Sequence, residues 1–181
     1  MIWDILFPHE YAPGVFSIDY EELYRLGYRA ILFDIDNTLV HHGYDSNEEV
    51  DALFRRIHKI GLKTLLLSNN GQERISRFCA NIDTPFISNA DKPNPRNYRK
   101  AVQMLGVGRE ETVVIGDQIF TDILGANLSG MPSILVRYLR KPGEVKIGKR
   151  RTAELYVLKL YSRCKSRQNR IGNIIVTGEK L

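Results

Sequence analysis

The stretch "YRAILFDIDNTLV", residues 28–40, carries an unbroken apolar run from Ala30 to Phe33, then two acids, Asp34 and Asp36, before a polar loop. A run with no polar alternation suits a strand covered on both faces, as in a parallel sheet. Similar runs follow in "LKTLLLSNN" (62–70), "TPFISNA" (84–90), "ETVVIGD" (111–117) and "PSILVRY" (132–138). Between them lie segments with helical spacing. In "NEEVDALFRRIHKIG" (47–61), Val50, Leu53, Phe54, Ile57 and Ile60 share a face, with Asn47 placed to cap and Gly61 to stop. "GQERISRFCANI" (71–82), "NPRNYRKAVQMLGV" (94–107) and "TDILGANLSG" (121–130) complete the series, the second with Asn94 as cap and Pro95 in its first turn. A further short helix is expected in "SIDYEELYRLG" (17–27), capped by Asp19 and ended by Gly27.

Strands and helices in this alternation imply right-handed crossovers. The expected fold is a doubly wound, Rossmann-like α/β domain of about five parallel strands with helices on both faces. Such sheets bind ligands at the carboxyl ends of their strands.

At 181 residues the chain has room for one ordinary domain with a full core. Its apolar runs are too short for a membrane-spanning helix, and Asp4, Pro8, His9 and Glu10 interrupt the start before a signal-peptide core could form, so an intracellular, cytoplasmic location is expected. Cys79 and Cys164 are too few for a disulfide framework. The net charge of +5 is uneven, because residues 137–170 hold twelve Lys or Arg against two Glu. A domain over 1–140 and a basic tail over 141–181 are the expected divisions. The tail is either a solvated face or a contact for an anionic partner, a lipid headgroup being favoured over nucleic acid.

Four strand ends converge on one edge. The first brings Asp34 and Asp36, the second Ser68, Asn69 and Asn70, the segment after the third Lys92, and the fourth Gly116 and Asp117 with Asp122 just beyond. So many acids in a small volume repel one another unless a cation balances them, and hard oxygen donors favour Mg²⁺. No Gly-x-x-x-x-Gly-Lys-Ser/Thr or Gly-x-Gly-x-x-Gly loop is present; "SNNG" (68–71) is the expected phosphate cradle. Singly, each residue could be a helix cap, a turn former or a surface group. Together those readings leave the shared edge unexplained. His41 and His42 lack further ligands at zinc spacing and are read as a solvated loop.

In order, "DIDNT" (34–38), Ser68 at its strand end, Lys92 in "DKPNP" (91–95) and "GDQIFTD" (116–122) resemble the four motifs of the haloacid dehalogenase (HAD) superfamily. The resemblance implies a Mg²⁺-dependent phosphomonoesterase. In it Asp34 is the nucleophile forming an aspartyl-phosphate, and Asp36 is the general acid and base whose carbonyl helps hold the metal. It also makes Ser68 and Asn69 phosphate ligands, Lys92 the charge-balancing ammonium and Asp117 a metal ligand; Asp122 either ligates or orients Lys92. Asn37 stands where Gly is frequent, a departure that Asn tolerates.

The gaps 40–63 and 71–91 leave no room for the cap that selects substrates in many HAD enzymes, so the site is expected to be open and suited to a phosphate carried on something large. With "LFPHEY" (6–11), "SIDYEEL" (17–23) and "GDQIFTDILGAN" (116–127), the chain resembles the YqeG-type branch of capless HAD phosphatases over roughly residues 6–140. Phosphatidylglycerophosphate phosphatases belong among the relatives of that branch. The resemblance therefore favours phosphatidylglycerophosphate as substrate, over a soluble phosphometabolite, a phosphorylated macromolecule, or a non-catalytic scaffold that binds RNA or protein. In the tail, Val157, Leu160, Tyr161 and Cys164 share a helical face, with Lys159, Arg163 and Arg167 elsewhere. Such a helix either lies on the inner face of a membrane or packs on its own sheet.

Overall fold

The computed structural model describes residues 2–140, Gly143 and residues 148–176. Six strands form one parallel sheet: β1 (Glu10–Ala12), β2 (Ala30–Phe33), β3 (Lys63–Leu67), β4 (Phe86–Ile87), β5 (Thr112–Gly116) and β6 (Ser133–Val136), in the order β1-β6-β5-β2-β3-β4. Five match the expected runs. The sixth, β1, comes from the N-terminal segment and lies at the edge beside β6, pairing Tyr11 with Leu135. At three residues between Pro8 and Pro13 it is too short to show a period.

Among the described residues, α1 (Tyr20–Arg25), α2 (Glu48–Ile60), α3 (Gln72–Phe78), α4 (Pro95–Leu105) and α5 (Leu124–Leu128) connect successive strands, and α6 (Lys149–Arg163) follows β6. Their ends form as the local chemistry requires. Asp19, Asn47 and Asn94 each accept a first-turn N–H, and Gly61 closes α2 at φ 102°, a left-handed angle that costs glycine little.

Alternate residues of each strand serve opposite faces. Ile31, Phe33, Leu66 and Ile115 join Tyr20, Phe54, Ile57 and Phe78 of α1, α2 and α3 in one buried cluster. Leu32, Leu65, Leu67 and Val114 join Tyr98 and Ala101 of α4 and Ala126 of α5 on the other side. Burying each large side chain contributes roughly 1.5–3 kcal/mol, and both faces of the sheet are used in this way.

A third cluster settles where α6 goes. Val157 and Tyr161 pack on Phe7, Ile119, Ile123 and Leu135, with Cys164 partly buried beside them and Leu160 left partly exposed. Of the two placements open to the tail, packing on its own domain is the one observed. The chain then returns toward its start: Arg170 N–H donates to the His9 carbonyl and Val176 N–H to that of Ser17. No helix among the described residues is long and apolar enough to cross a membrane. Between Val40 and Lys63 lie a loop and α2, and between Gly71 and Asp91 lie α3 and β4, so no cap domain covers the carboxyl edge among the described residues.

Candidate active site

Asp34 follows β2 directly and keeps its pairing, its N–H donating to the Ile115 carbonyl at 3.0 Å. That hydrogen bond fixes the carboxylate over the strand end. Beyond it the chain folds on itself: Asn37 adopts φ 63° and donates to the Val40 carbonyl, which accounts for Asn at a position that demands a left-handed angle. The Thr38 hydroxyl lies 3.1 Å from Asp117 Oδ1 and 3.3 Å from Asp34 Oδ2, where its one proton can serve either carboxylate.

Lys92 stands between two acids, its Nζ donating to Asp34 Oδ1 and Asp122 Oδ1, both at 2.6 Å. Asp122 therefore orients Lys92, and its second oxygen accepts the Gln118 N–H. It comes this close to the sheet only because residue 116 is glycine; a Cβ there would sit 2.4 Å from the Asp122 Cβ. One oxygen each from Asp34, Asp117 and Asp122 lies within 4.8 Å of the others, and all three residues are buried by their neighbours. Burial, partly offset by Lys92, pushes the Asp34 carboxyl up to about 6. Burial and the nearby Asp34 and Asp122 push Asp117 up to about 8 despite Arg151. Burial alone would lower the Lys92 ammonium, but Asp122 and Asp34 outweigh it and hold the lysine charged. Such a compact set of hard oxygen donors, carrying more negative charge than one ammonium balances, fits a divalent cation.

Asp36 contributes no oxygen to that trio. Its carboxylate accepts from Asn70 Nδ2 at 2.6 Å, Gly43 N–H at 2.9 Å and Arg74 Nη2 at 3.1 Å, with the His42 ring 3.4 Å away. Burial raises this carboxyl, but the combined donors and cations prevail and hold it below the usual carboxylate value. His42 is the solvated loop residue expected, and from that loop it stands at the margin of the site.

Ser68 is buried at the end of β3 and its Oγ accepts from both the backbone N–H and the side-chain amide of Asn70. With both acceptor positions occupied, its own proton is left for an incoming oxygen. Asn69 is exposed, and its side-chain Oδ1 accepts the Lys92 backbone N–H at 2.9 Å, tying the second motif to the third. All seven candidate residues therefore meet at one edge, though Asp36 and Asn69 also brace neighbouring loops.

Arg151, Arg74 and the bracing role of Asn70 were not assigned from sequence. Arg151 comes from α6: its guanidinium pairs with Asp117 Oδ2, donates to the Asp117 carbonyl at 2.6 Å and to Glu154 at 3.0 Å, and stacks 4.4 Å from the Tyr138 ring. Nothing in the basic run distinguishes it from its neighbours. Arg74 lies in the first turns of α3, directly after the phosphate cradle, and that position was its one available signal.

Comparison with known proteins points to a family of phosphatases. A HAD-hydrolase-like family model matches residues 89–144. The chain is 34% identical over 139 residues to "Probable phosphatase YqeG" of Bacillus subtilis (strain 168), covering 75% of this chain and 80% of that protein. It is 26% identical over 148 residues to "Phosphatidylglycerophosphate phosphatase 1, chloroplastic" of Chlamydomonas reinhardtii, covering 76% of this chain and 55% of that longer protein. In fold it is similar to an uncharacterized protein from Listeria monocytogenes serotype 4b, with TM-score 0.52 and 18% identity, covering 72% of this chain and 99% of the other.

Proposed function

Since the chain belongs to the YqeG-type phosphatases of the haloacid dehalogenase superfamily, we propose that it hydrolyses a phosphomonoester through an aspartyl-phosphate on Asp34, with phosphatidylglycerophosphate as its substrate. The observation that carries this reading is the placement of Asp34 at the end of β2, paired with Lys92 and within reach of Asp117 and Asp122.

Asp34, Asp117 and Asp122, with the Asp36 carbonyl, would hold Mg²⁺, which when bound supplies positive charge to the oxygens of the transferring phosphoryl group. The chain's own groups do the rest. The Lys92 ammonium, donating to Asp34 at 2.6 Å, favours the carboxylate form that attacks. One of its oxygens attacks phosphorus and the bond to the leaving alcohol breaks, dividing one difficult displacement into two easier ones. The Ser68 hydroxyl and the Asn69 amide donate to the transferring oxygens, and Lys92 balances the charge that gathers there.

Asp36, held ionised by Asn70, Gly43, Arg74 and His42, is set as the base that takes a proton from the water attacking the aspartyl-phosphate. It passes that proton to the next leaving alcohol as a general acid. The open edge admits a phosphate presented by a lipid at an interface, and the basic tail over 141–181 adds attraction to an anionic bilayer on the cytoplasmic side.

Phosphate release from para-nitrophenyl phosphate with Mg²⁺ tests the class, and release from phosphatidylglycerophosphate in mixed micelles tests the substrate. Asp34→Asn is expected to abolish both while the far-UV spectrum stays unchanged. Turnover retained by that variant overturns the mechanism. Hydrolysis of the aryl ester without the lipid returns the choice to a soluble phosphometabolite or a phosphorylated macromolecule.

A further inference from the structure

The two oxygens of Asp36 are unlike. Oδ1 accepts the Gly43 N–H at 2.9 Å and Arg74 Nη2 at 3.1 Å, so both of its acceptor positions are taken. Among the described residues Oδ2 accepts one hydrogen bond, from Asn70 Nδ2 at 2.6 Å, and the other proton of that amide goes to Ser68 Oγ at 3.1 Å. A single amide therefore spans Asp36 and Ser68. It puts Oδ2 on the side of the hydroxyl assigned to the transferring oxygens, while Oδ1 is held by the 43 loop and α3. With a lone pair still open, Oδ2 is the oxygen that trades protons with the leaving alcohol.

His42 stands at that oxygen. Its Nδ1 lies 3.4 Å from Oδ2, too far for a good hydrogen bond and near enough to border it. The imidazole is 66% exposed, against 15% for the Arg74 side chain, so it is the one that an incoming molecule meets. The backbone beneath the ring is pinned, since the His42 N–H donates to Asn37 Oδ1 at 3.1 Å and the next N–H, from Gly43, to Asp36. A ring carried on a fixed backbone loses little freedom when it takes a partner. To receive its proton the leaving oxygen must come within about 2.7 Å of Oδ2. Asn70 and the buried Ser68 close the inner side, so the rest of the alcohol extends toward solvent past His42.

We infer that His42 is a specificity-determining residue for the leaving group, and that it recognises an alcohol with a hydroxyl on the carbon next to the ester carbon, as in a glycerol monophosphate. The inference rests on the phosphatase reading above and names a chemical requirement of its leaving group. A neutral imidazole offers one donor and one acceptor, and a hydroxyl is both, so the two pair whichever ring nitrogen faces the substrate. A plain hydrocarbon in the same place would take water from the ring and return no hydrogen bond. Phosphatidylglycerophosphate falls within this class, because its terminal phosphate is carried on a glycerol whose neighbouring carbon bears a free hydroxyl.

The test compares kcat/KM, with Mg²⁺ present, for glycerol 1-phosphate and for n-propyl phosphate, which has the same carbon chain without the hydroxyls, with para-nitrophenyl phosphate and phosphatidylglycerophosphate in mixed micelles as class controls. The wild-type protein is expected to favour the glycerol ester over the propyl ester. In His42→Ala that preference should fall about fivefold or more. His42→Gln, which keeps a donor and an acceptor, should recover part of it. An equal fall for both alkyl esters overturns the inference, because His42 would then act solely through Asp36, and so does a preference that His42→Ala leaves unchanged. Hydrolysis of either control with no preference between the alkyl esters, or with neither of them cleaved, also overturns it and leaves the phosphatase reading intact. If the wild-type protein cleaves none of the four, the phosphatase reading fails and the role of His42 fails with it.

Discussion

Replacing Lys92 by Met is the sharpest test of how the acidic edge is held together. The Lys92 side chain is 4% exposed and makes two charge-assisted hydrogen bonds of 2.6 Å, to Asp34 at 11% exposure and Asp122 at 1%. Methionine keeps most of the volume and removes the charge, leaving two buried carboxylates with no ammonium between them. Breaking a buried pair in this way costs about 3–5 kcal/mol, a large share of the 5–15 kcal/mol that stabilises a typical domain. At about 2–4 °C per kcal/mol for a chain of this size, the melting temperature should fall by roughly 6–20 °C. The assay is urea denaturation and thermal melting of the metal-free protein at about pH 7.5 and about pH 5. The penalty should shrink at the lower pH, because Lys92 is what opposes protonation of Asp34 and the variant's carboxyl takes up a proton more readily. A loss below about 1 kcal/mol, equal at both pH values, would refute the claim that Lys92 balances these acids.

Gly116→Ala should displace Asp122 and with it Lys92, lowering stability by about 1–3 kcal/mol and turnover by more than tenfold; unchanged kinetics would show the clash is relieved elsewhere. Asp34 and Asp117 are raised to about 6 and about 8 from an ordinary 3.8, so the folded chain holds more protons than the unfolded one in that window. Stability of the metal-free protein should therefore fall as pH rises from about 4 to about 8, and added Mg²⁺ should raise the melting temperature more at about pH 8.5 than at about pH 5. Equal shifts by thermal melting would contradict this. Arg74→Ala removes one of the groups that hold Asp36 ionised, so the acidic limb of the kcat/KM profile should move to higher pH; an unmoved limb would separate Arg74 from the base.

Much of this site was legible because each contributing segment is local. A four- or five-residue apolar run followed at once by Asp, Ser-Asn-Asn or Gly-Asp states both the strand and what it delivers to the edge. The helix ends were equally plain, since Asn47, Asn94 and Gly61 act within one turn of themselves. Long-range partners left no such trace. Arg151 meets Asp117 from 34 positions along the chain, and its neighbours Lys149 and Arg150 carry the same charge. The i, i+4 pair Val157 and Tyr161 announced an apolar stripe, but Phe7, Ile119 and Leu135 that cover it lie far along the chain. Asp36 shows the remaining gap: its neighbour Asp34 was visible from two positions away, whereas the groups that set its proton affinity come from the loop at His42 and Gly43, from Asn70 after β3 and from Arg74 on α3.

The pairing of Arg151 with Asp117 has a consequence for biosynthesis. During translation the segments bearing Asp34, Asp36, Asp117 and Asp122 emerge first, together with Lys92 and Arg74, and the arginine that offsets Asp117 follows only after every strand of the sheet has been made. Until then the acids at the edge lack that guanidinium, and a proton on Asp117, which burial favours, can offset their repulsion. The order of synthesis thus leaves Asp117 without its guanidinium partner until the last helix closes.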